Sequence, residues 1–235
     1  MTSAVAVRGL TKTFTLHTQG GVELPVLRGV ELAVDPGECV VLADPSGAGK
    51  STLLRSIYGN YRAQAGEILV RHGGGVVDVA RAEPRRILEV RRRTLGYVSQ
   101  FLRVIPRVPT LDVVTEPLRA LGVPAAEAVA RARAILDRLR LPERLWGLPP
   151  ATFSGGEQQR VNVARGLIAG HPVLLLDEPT ASLDAESRGA VVALITEARD
   201  RGTAIVGAFH DATVRAALAT RLVRLHGQAR QEAAT

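Results

Sequence analysis

Apolar and polar positions change period several times along this chain, and each change marks an element. Ala4–Val7 and Val26–Val34 alternate only in part and read as strands. Val40–Ala43 is apolar without interruption, the pattern of a strand buried on both faces at the centre of a parallel sheet. Leu53, Leu54 and Ile57 then recur at helical spacing and predict a helix over Lys50–Tyr58. Strand-like runs return at Glu67–Val70, Val76–Val79 and Leu95–Ser99. From Leu111 to Ile168 the pattern is helical, broken at Gly122-Val123-Pro124 and at Leu148-Pro149-Pro150. Val173–Leu176 and Ala204–Ala208 are two more buried-strand patterns, with a helix over Ala185–Arg199 between them. After Leu225 no apolar period remains, so a frayed tail is expected over 226–235. Strand, loop and helix alternate around a helical block, which predicts a doubly wound α/β core carrying a helical lobe. No linker, internal repeat or low-complexity tract interrupts it.

Composition narrows the picture in a few places. The chain has 235 residues and 46% hydrophobic residues, enough for one large domain with a substantial core. The formal net charge is +7, and all but two of the cations (Lys12 and Lys50) are Arg. With so much Ala, that balance reads as coding bias or as a basic face for an anionic partner, and it reports on association more than on fold. Aromatics are only 3%, which argues against a base-stacking surface and against nucleic acid as a partner. Cys39 is the single cysteine, so no intrachain disulfide forms and a reducing compartment is expected. No run of about 18 apolar residues and no secretory leader pattern is present, so we expect a cytoplasmic protein without direct membrane insertion.

Candidate chemistry begins at the end of the first buried strand. Ser46, Gly47, Ala48, Gly49, Lys50, Ser51 and Thr52 lie between that strand and the next helix, the context a phosphate-binding loop requires. Glycines let backbone N–H groups curl around phosphate oxygens at a helix N-terminus. Lys50 would reach the β- and γ-phosphates, and the Ser51 hydroxyl would ligate Mg²⁺. The pattern wants Gly at position 44, where this chain has Asp44. At about 8 Å and an effective dielectric of about 20, a carboxylate would oppose each phosphate charge by about 2 kcal/mol. Either Asp44 points to water and, tolerating positive φ, imitates the missing Gly, or nucleotide affinity is weakened.

Asp177 and Glu178 close the apolar run Leu174–Leu176 and so stand at the carboxyl end of a buried strand. Asp177 would hold Mg²⁺ and Glu178 would polarise the attacking water, since phosphoryl transfer needs positioning and charge neutralisation more than covalent chemistry. Gln100 would bridge metal and water, and His210, after Phe209, would donate to the γ-phosphate. Phe14 is a candidate adenine-stacking residue, although a strand Phe is ordinarily core. Ser154, Gly155 and Gly156 followed by Glu157 have the spacing of a capping box, and the paired glycines suit close approach of an anion to the backbone.

Together these residues resemble the ATP-binding cassette (ABC) ATPases. Gly47–Thr52 resembles their Walker A motif, Gln100 the Q-loop, Ser154–Gln158 the signature, Leu174–Glu178 Walker B, Ala181–Asp184 the D-loop and His210 the switch histidine. The resemblance implies an ATP- and Mg²⁺-dependent ATPase with an α/β P-loop NTPase core, an N-terminal antiparallel β subdomain and an inserted helical subdomain. It divides the chain into a nucleotide-binding core (1–100 and 170–225) and a helical subdomain (101–169). It also implies a head-to-tail dimer, with itself or a paralogous subunit, in which Ser154–Gly156 of one chain close the other's ATP site and Asp184 communicates across the interface.

Within that family, Val98–Arg107, Pro142–Trp146, Thr152–Gly156 and the Ala204–Gly207 run before Phe209-His210-Asp211 look like the PhnL-type cassettes of the phosphonate C–P lyase system. That resemblance implies a soluble lyase complex as partner and a role in forming ribose 1-methylphosphonate 5-triphosphate from ATP and methylphosphonate. The alternatives are the nucleotide-binding subunit of a membrane exporter of the lipoprotein-release or macrolide-export type, and an ATP-gated assembly module without significant hydrolysis. The apolar and basic surface after Gln100 suits a protein interface of any of these.

Overall fold

In the computed structural model, residues 3–16, 18, 20–102 and 106–225 are described. Two sheets organise the chain. The first is antiparallel, in the order β2-β1-β4-β5, built from β1 (Val5–Leu16), β2 (Val22–Val34), β4 (Ala65–His72) and β5 (Gly75–Asp78). The second is parallel, in the order β6-β7-β8-β3-β9: β3 (Cys39–Leu42), β6 (Leu95–Val98), β7 (Val173–Asp177), β8 (Ala204–Ala208) and β9 (Arg221–Val223). Every residue of β3, β7 and β8 is buried, as a central strand covered on both faces must be.

One buried cluster joins the two sheets across α1 (Lys50–Ile57), with Leu53, Leu54 and Ile57 pressed against Leu10, Leu27 and Ile68. The other lies on the far face of the parallel sheet. There α3 (Thr110–Ala120), α4 (Ala125–Arg138), α5 (Gly155–Leu167) and α6 (Ala185–Asp200) cover Val41, Leu176 and Ile205. Helices α3 to α5 all fall between β6 and β7. Cys39 sits in this cluster, and burial pushes its thiol up to about 12.

The hairpin β1–β2 is longer than its apolar pattern predicts. Beyond Leu10 the strands continue as a two-stranded ribbon with register shifts between Val7 and Thr13, and the ribbon's partly exposed residues carry little apolar alternation. The pattern also missed α2 (Pro84–Arg93) as a full element, α7 (Ala212–Leu218) and β9, short pieces with few buried residues.

Candidate functional site

Three parallel strands, β3, β7 and β8, end side by side, and the chemistry-bearing residues follow them, where open α/β sheets place their ligand crevice. After β3 the chain turns through Gly47 and Gly49, both at positive φ. A side chain at Gly49 would meet Val26 and Leu27 at 3.0 Å, so the loop can seat itself against β2 only with glycine there. Lys50 Nζ donates to the carbonyl oxygens of Asp44 (2.6 Å) and Pro45 (2.9 Å), bracing the loop from inside.

Asp44 does not stand in water, and it does not imitate a glycine, because its φ is not positive. Its Oδ2 accepts from the Leu225 backbone N–H at 2.7 Å, which turns the carboxylate toward the chain segment after β9. The departure at this position therefore ties the loop to a segment 181 residues away.

Asp177 is buried at the end of β7 and both its oxygens are engaged. Ser51 Oγ donates to Oδ1 at 2.8 Å, and the Tyr97 hydroxyl donates to Oδ2 at 3.2 Å. Glu178 is buried and held at φ +55°, a left-handed conformation costly for a glutamate. Its N–H donates to Ala208 O, its carbonyl accepts from Gln159 Nε2, and its Oε2 accepts from the His210 N–H at 2.8 Å. Its Oε1 is buried, 3.4 Å from His210 Nε2, and accepts no hydrogen bond. A buried carboxylate oxygen without a donor is suited to receive one from a water molecule. The His210 side chain is exposed, and Arg215 steadies the backbone beside it by donating to Phe209 O and His210 O, each at 3.1 Å.

Ser51, Asp177, Glu178 and His210 are thus linked by direct hydrogen bonds or close contacts. Gln100 is half-buried just beyond β6, and no hydrogen bond joins it to either carboxylate. Ser46 and Thr52 flank the loop. Phe14 lies on β1, half-buried, with its ring edge-on to Tyr61 at 5.2 Å and Lys12 Nζ 4.9 Å from its centre. Among the described residues no group of three or more His, Cys, Asp or Glu could hold a metal. The hard oxygens of Ser51 and Asp177 fit a Mg²⁺ ion that takes its remaining ligands from water and phosphates.

The Ser154–Gly156 turn opens α5 and carries a complete capping box. Ser154 Oγ accepts from the Glu157 N–H, and Glu157 Oε2 accepts from the Ser154 N–H at 2.9 Å. The Ser154 hydroxyl, donating to Glu157 Oε2 at 2.7 Å, and then the Ser154 N–H hold the Glu157 carboxyl below its ordinary value. Ser154 and Gly155 are exposed, and a Cβ at Gly155 would touch only Ser182 Cβ at 3.9 Å. Gly156 differs, since a Cβ there would sit 2.9 Å from Ser182 O. That second glycine is explained by the loop before α6. Ser182 stands at φ +62°, and Asp184 caps α6 by accepting from the Ser187 N–H at 2.7 Å.

Sequence reasoning missed Tyr97, Gln159 and Asn162. Asn162 Nδ2 donates to Ser99 O at 2.6 Å and lies 3.4 Å from Gln159 Oε1, so α5 is fastened to the ends of β6 and β7. Two amides three apart on one helix face were the available signal.

Several residues of the segments that suggested a phosphonate subfamily are packed inside the fold. Phe153 and Phe209 are buried, and Trp146 joins the same cluster and donates to Leu141 O at 2.9 Å. Arg103, Val104 and Ile105 lie outside the described residues, as do 226–235. Of the arginines near the groove, Arg91 is no free solvated charge. It donates to Tyr58 O and Asn60 Oδ1 and covers the Tyr58 ring.

Similarity to known proteins decides between the subfamilies. The lipoprotein-releasing system ATP-binding protein LolD of Maricaulis maris is 43% identical over 198 residues, 84% of each chain. LolD 2 of Caulobacter vibrioides is 42% identical over 88% of each chain. The pyoverdine export ATP-binding/permease protein PvdT of Pseudomonas entomophila is 40% identical over 88% of this chain and 31% of its own length. These relatives overturn the phosphonate C–P lyase role and the soluble lyase partner expected above. Buried residues such as Phe153 and Phe209 report on the shared fold, and so could not carry that distinction. Among solved structures, dimeric MJ0796, a bacterial ABC transporter cassette, superposes with a TM-score of 0.85 at 28% identity over 94% of each chain. The post-hydrolysis dimer of MJ0796 bound to ADP and Pi gives 0.84 at 29% identity, covering 94% of this chain and 93% of that one. The family model described as ABC transporter matches residues 27–181, and the chain accordingly belongs to that family and is an ATPase of the ABC type.

Proposed function

We propose that this chain is the ATP-hydrolysing subunit of a membrane exporter of the lipoprotein-release type, working at the cytoplasmic face as one of a head-to-tail pair. The observation that carries this reading is the 43% identity to the lipoprotein-releasing system ATP-binding protein LolD over 84% of both chains. No described helix is long and apolar enough to cross a membrane.

On this reading each site residue has a role. Lys50 and the backbone N–H groups of Ser46–Thr52 bind the phosphates, and Phe14 packs against adenine. Ser51, Asp177 and Gln100 would hold Mg²⁺, which when bound would neutralise phosphate charge and orient the transferred group. Glu178 accepts a proton from the attacking water at Oε1, the buried oxygen that no protein donor occupies. His210 pivots on a backbone fixed to Glu178 and Arg215, which brings its exposed ring toward the γ-phosphate. Ser154, Gly155 and Gly156 of one chain close over the nucleotide of the other, with Asp184 beside them.

The permease is expected to dock in the groove of about 730 Å³ between α2 and α3, whose rim carries exposed Leu88 and whose walls carry Arg91, Arg92 and Arg165. Exposed Phe101 continues this surface past Gln100. Purification of the tagged chain from detergent-solubilised membranes of its host tests the reading. Recovery with a permease supports it. Recovery from the soluble fraction alone, with no membrane protein, overturns it.

A further inference from the structure

The floor of the groove and the acidic end of β7 share one side chain. Tyr97 lines the groove with its ring, stacked at 5.0 Å on Tyr58, and its hydroxyl passes through to Asp177 Oδ2 at 3.2 Å. Arg55, another groove residue, donates to the Tyr61 hydroxyl at 3.0 Å and also interacts with the Tyr97 hydroxyl. Arg55 stands on α1, one turn after Ser51, which holds the other Asp177 oxygen. Tyr97, Asp177 and Ser51 are therefore joined by hydrogen bonds, and Arg55 stands in the groove on the helix that carries Ser51.

We propose that Tyr97 is a positioning residue that fixes the Asp177 carboxylate for its ion through a hydrogen bond to Oδ2, and so connects the groove to the metal side of the ATP site. A carboxylate with both oxygens hydrogen-bonded cannot rotate, and groups that orient a ligating carboxylate set its affinity for the ion. The Tyr97 hydroxyl, 3.2 Å from Oδ2, is the donor that holds that oxygen, as Ser51 Oγ at 2.8 Å holds Oδ1. A partner that displaces Arg55 or the Tyr97 ring in the groove would release Asp177 Oδ2. The Phe14–Tyr61 contact places the adenine-side candidate on the same cluster.

The proposal rests on the reading of Asp177 as a metal-side group, and the test separates the two. Mn²⁺ is titrated into full-length protein saturated with ATP and followed by electron paramagnetic resonance, in a Glu178→Gln background that prevents turnover. ATP affinity without metal is measured beside it. Tyr97→Phe keeps the ring in its packed position and removes only the hydroxyl. We expect it to weaken Mn²⁺ binding about tenfold, with metal-free ATP affinity unchanged. Asp177→Asn is the reference. If Asp177→Asn weakens Mn²⁺ binding and Tyr97→Phe matches the parent, the positioning role is overturned. It is overturned as well if Tyr97→Phe weakens metal-free ATP binding to the same degree, since that marks a general packing defect. If Asp177→Asn leaves Mn²⁺ binding intact, the metal-side reading itself fails.

Discussion

Two parts of this chain are built to meet phosphate, and they differ in how completely the chain itself satisfies them. At the ends of β3, β7 and β8 the polar groups are tied inward. Lys50 is held by two carbonyls, Asp177 by Ser51 and Tyr97, Glu178 by the His210 amide, and Asp44 by Leu225. The turn at Ser154–Gly156 is tied only to its own first helical turn and to the loop at Ser182, and Ser154 and Gly155 face outward. A region whose bonds are closed within the chain is organised to act. A capped, glycine-bearing helix start left facing outward is organised to be met by something else.

The sharpest way to break this contrast is at the inward side. Glu178→Gln keeps the side chain's shape and removes the proton acceptor. We expect phosphate release to fall by about 10²- to 10⁴-fold while ATP binding persists. An equilibrium binding assay run beside the hydrolysis assay checks both halves, and a variant that still hydrolyses at the parent rate refutes the assignment.

The two glycines give a finer test, because they divide the outward turn into an intramolecular and an intermolecular part. Gly156→Ala forces its Cβ against Ser182 O, an overpacking that costs about 1–3 kcal/mol and lowers Tm by about 2–4 °C for each kcal/mol. Gly155→Ala meets nothing closer than 3.9 Å, so its Tm is expected to match the parent. Its defect should be confined to ATP-dependent dimerisation, read by light scattering in the Glu178→Gln background. Equal losses of Tm in both variants would erase the distinction.

Asp44 probes whether the inward side tolerates its anomalous carboxylate. With Oδ2 committed to the Leu225 amide, Asp44→Gly should leave ATP affinity within about twofold, and Asp44→Ala should cost about 1 kcal/mol of stability by orphaning that amide. Asp44→Asn, whose amide oxygen still accepts, should restore most of it. Calorimetric titration that showed Asp44→Gly binding ATP tenfold more tightly would mean that the carboxylate opposes the phosphates after all.

The smallest expected effect is on pH. The Ser187 N–H holds the Asp184 carboxyl below its ordinary value of 3.8, and the N–H groups of Thr213 and Val214 do the same for Asp211. A carboxylate whose folded value is depressed adds stability above its unfolded value and loses it as the pH falls through the folded one. Thermal melts should therefore show these two caps fading only below pH 3.8, with the acid slope reduced in Asp184→Asn and Asp211→Asn.

What the sequence disclosed follows from which interactions are local. The buried strands β3, β7 and β8 carry their apolar runs openly, and Gly122–Pro124 and Leu148–Pro150 punctuate the helices where the chain does turn. The capping box at Ser154 and Glu157 is a four-residue signal and is present as read. Long-range pairings left no such trace. Nothing near Asp44 points to Leu225, and nothing near Tyr97 points to Asp177, 80 residues on. The ribbon beyond Leu10 went unread because its residues are only partly buried. The mistaken phosphonate assignment had the opposite cause. Trp146, Phe153 and Phe209 are conspicuous letters in a chain with few aromatics, yet Phe153 and Phe209 are buried in the core and Trp146 packs against it.

Cys39 has a practical consequence for every one of these measurements. It is the only thiol in the chain, fully enclosed, and burial pushes its pKa up to about 12, which disfavours the reactive thiolate. The native protein should be silent toward maleimides and methanethiosulfonates while folded. A single cysteine introduced at Leu88 or Phe101 would then be the one reactive position, ready for a fluorophore or spin label without first removing the natural residue.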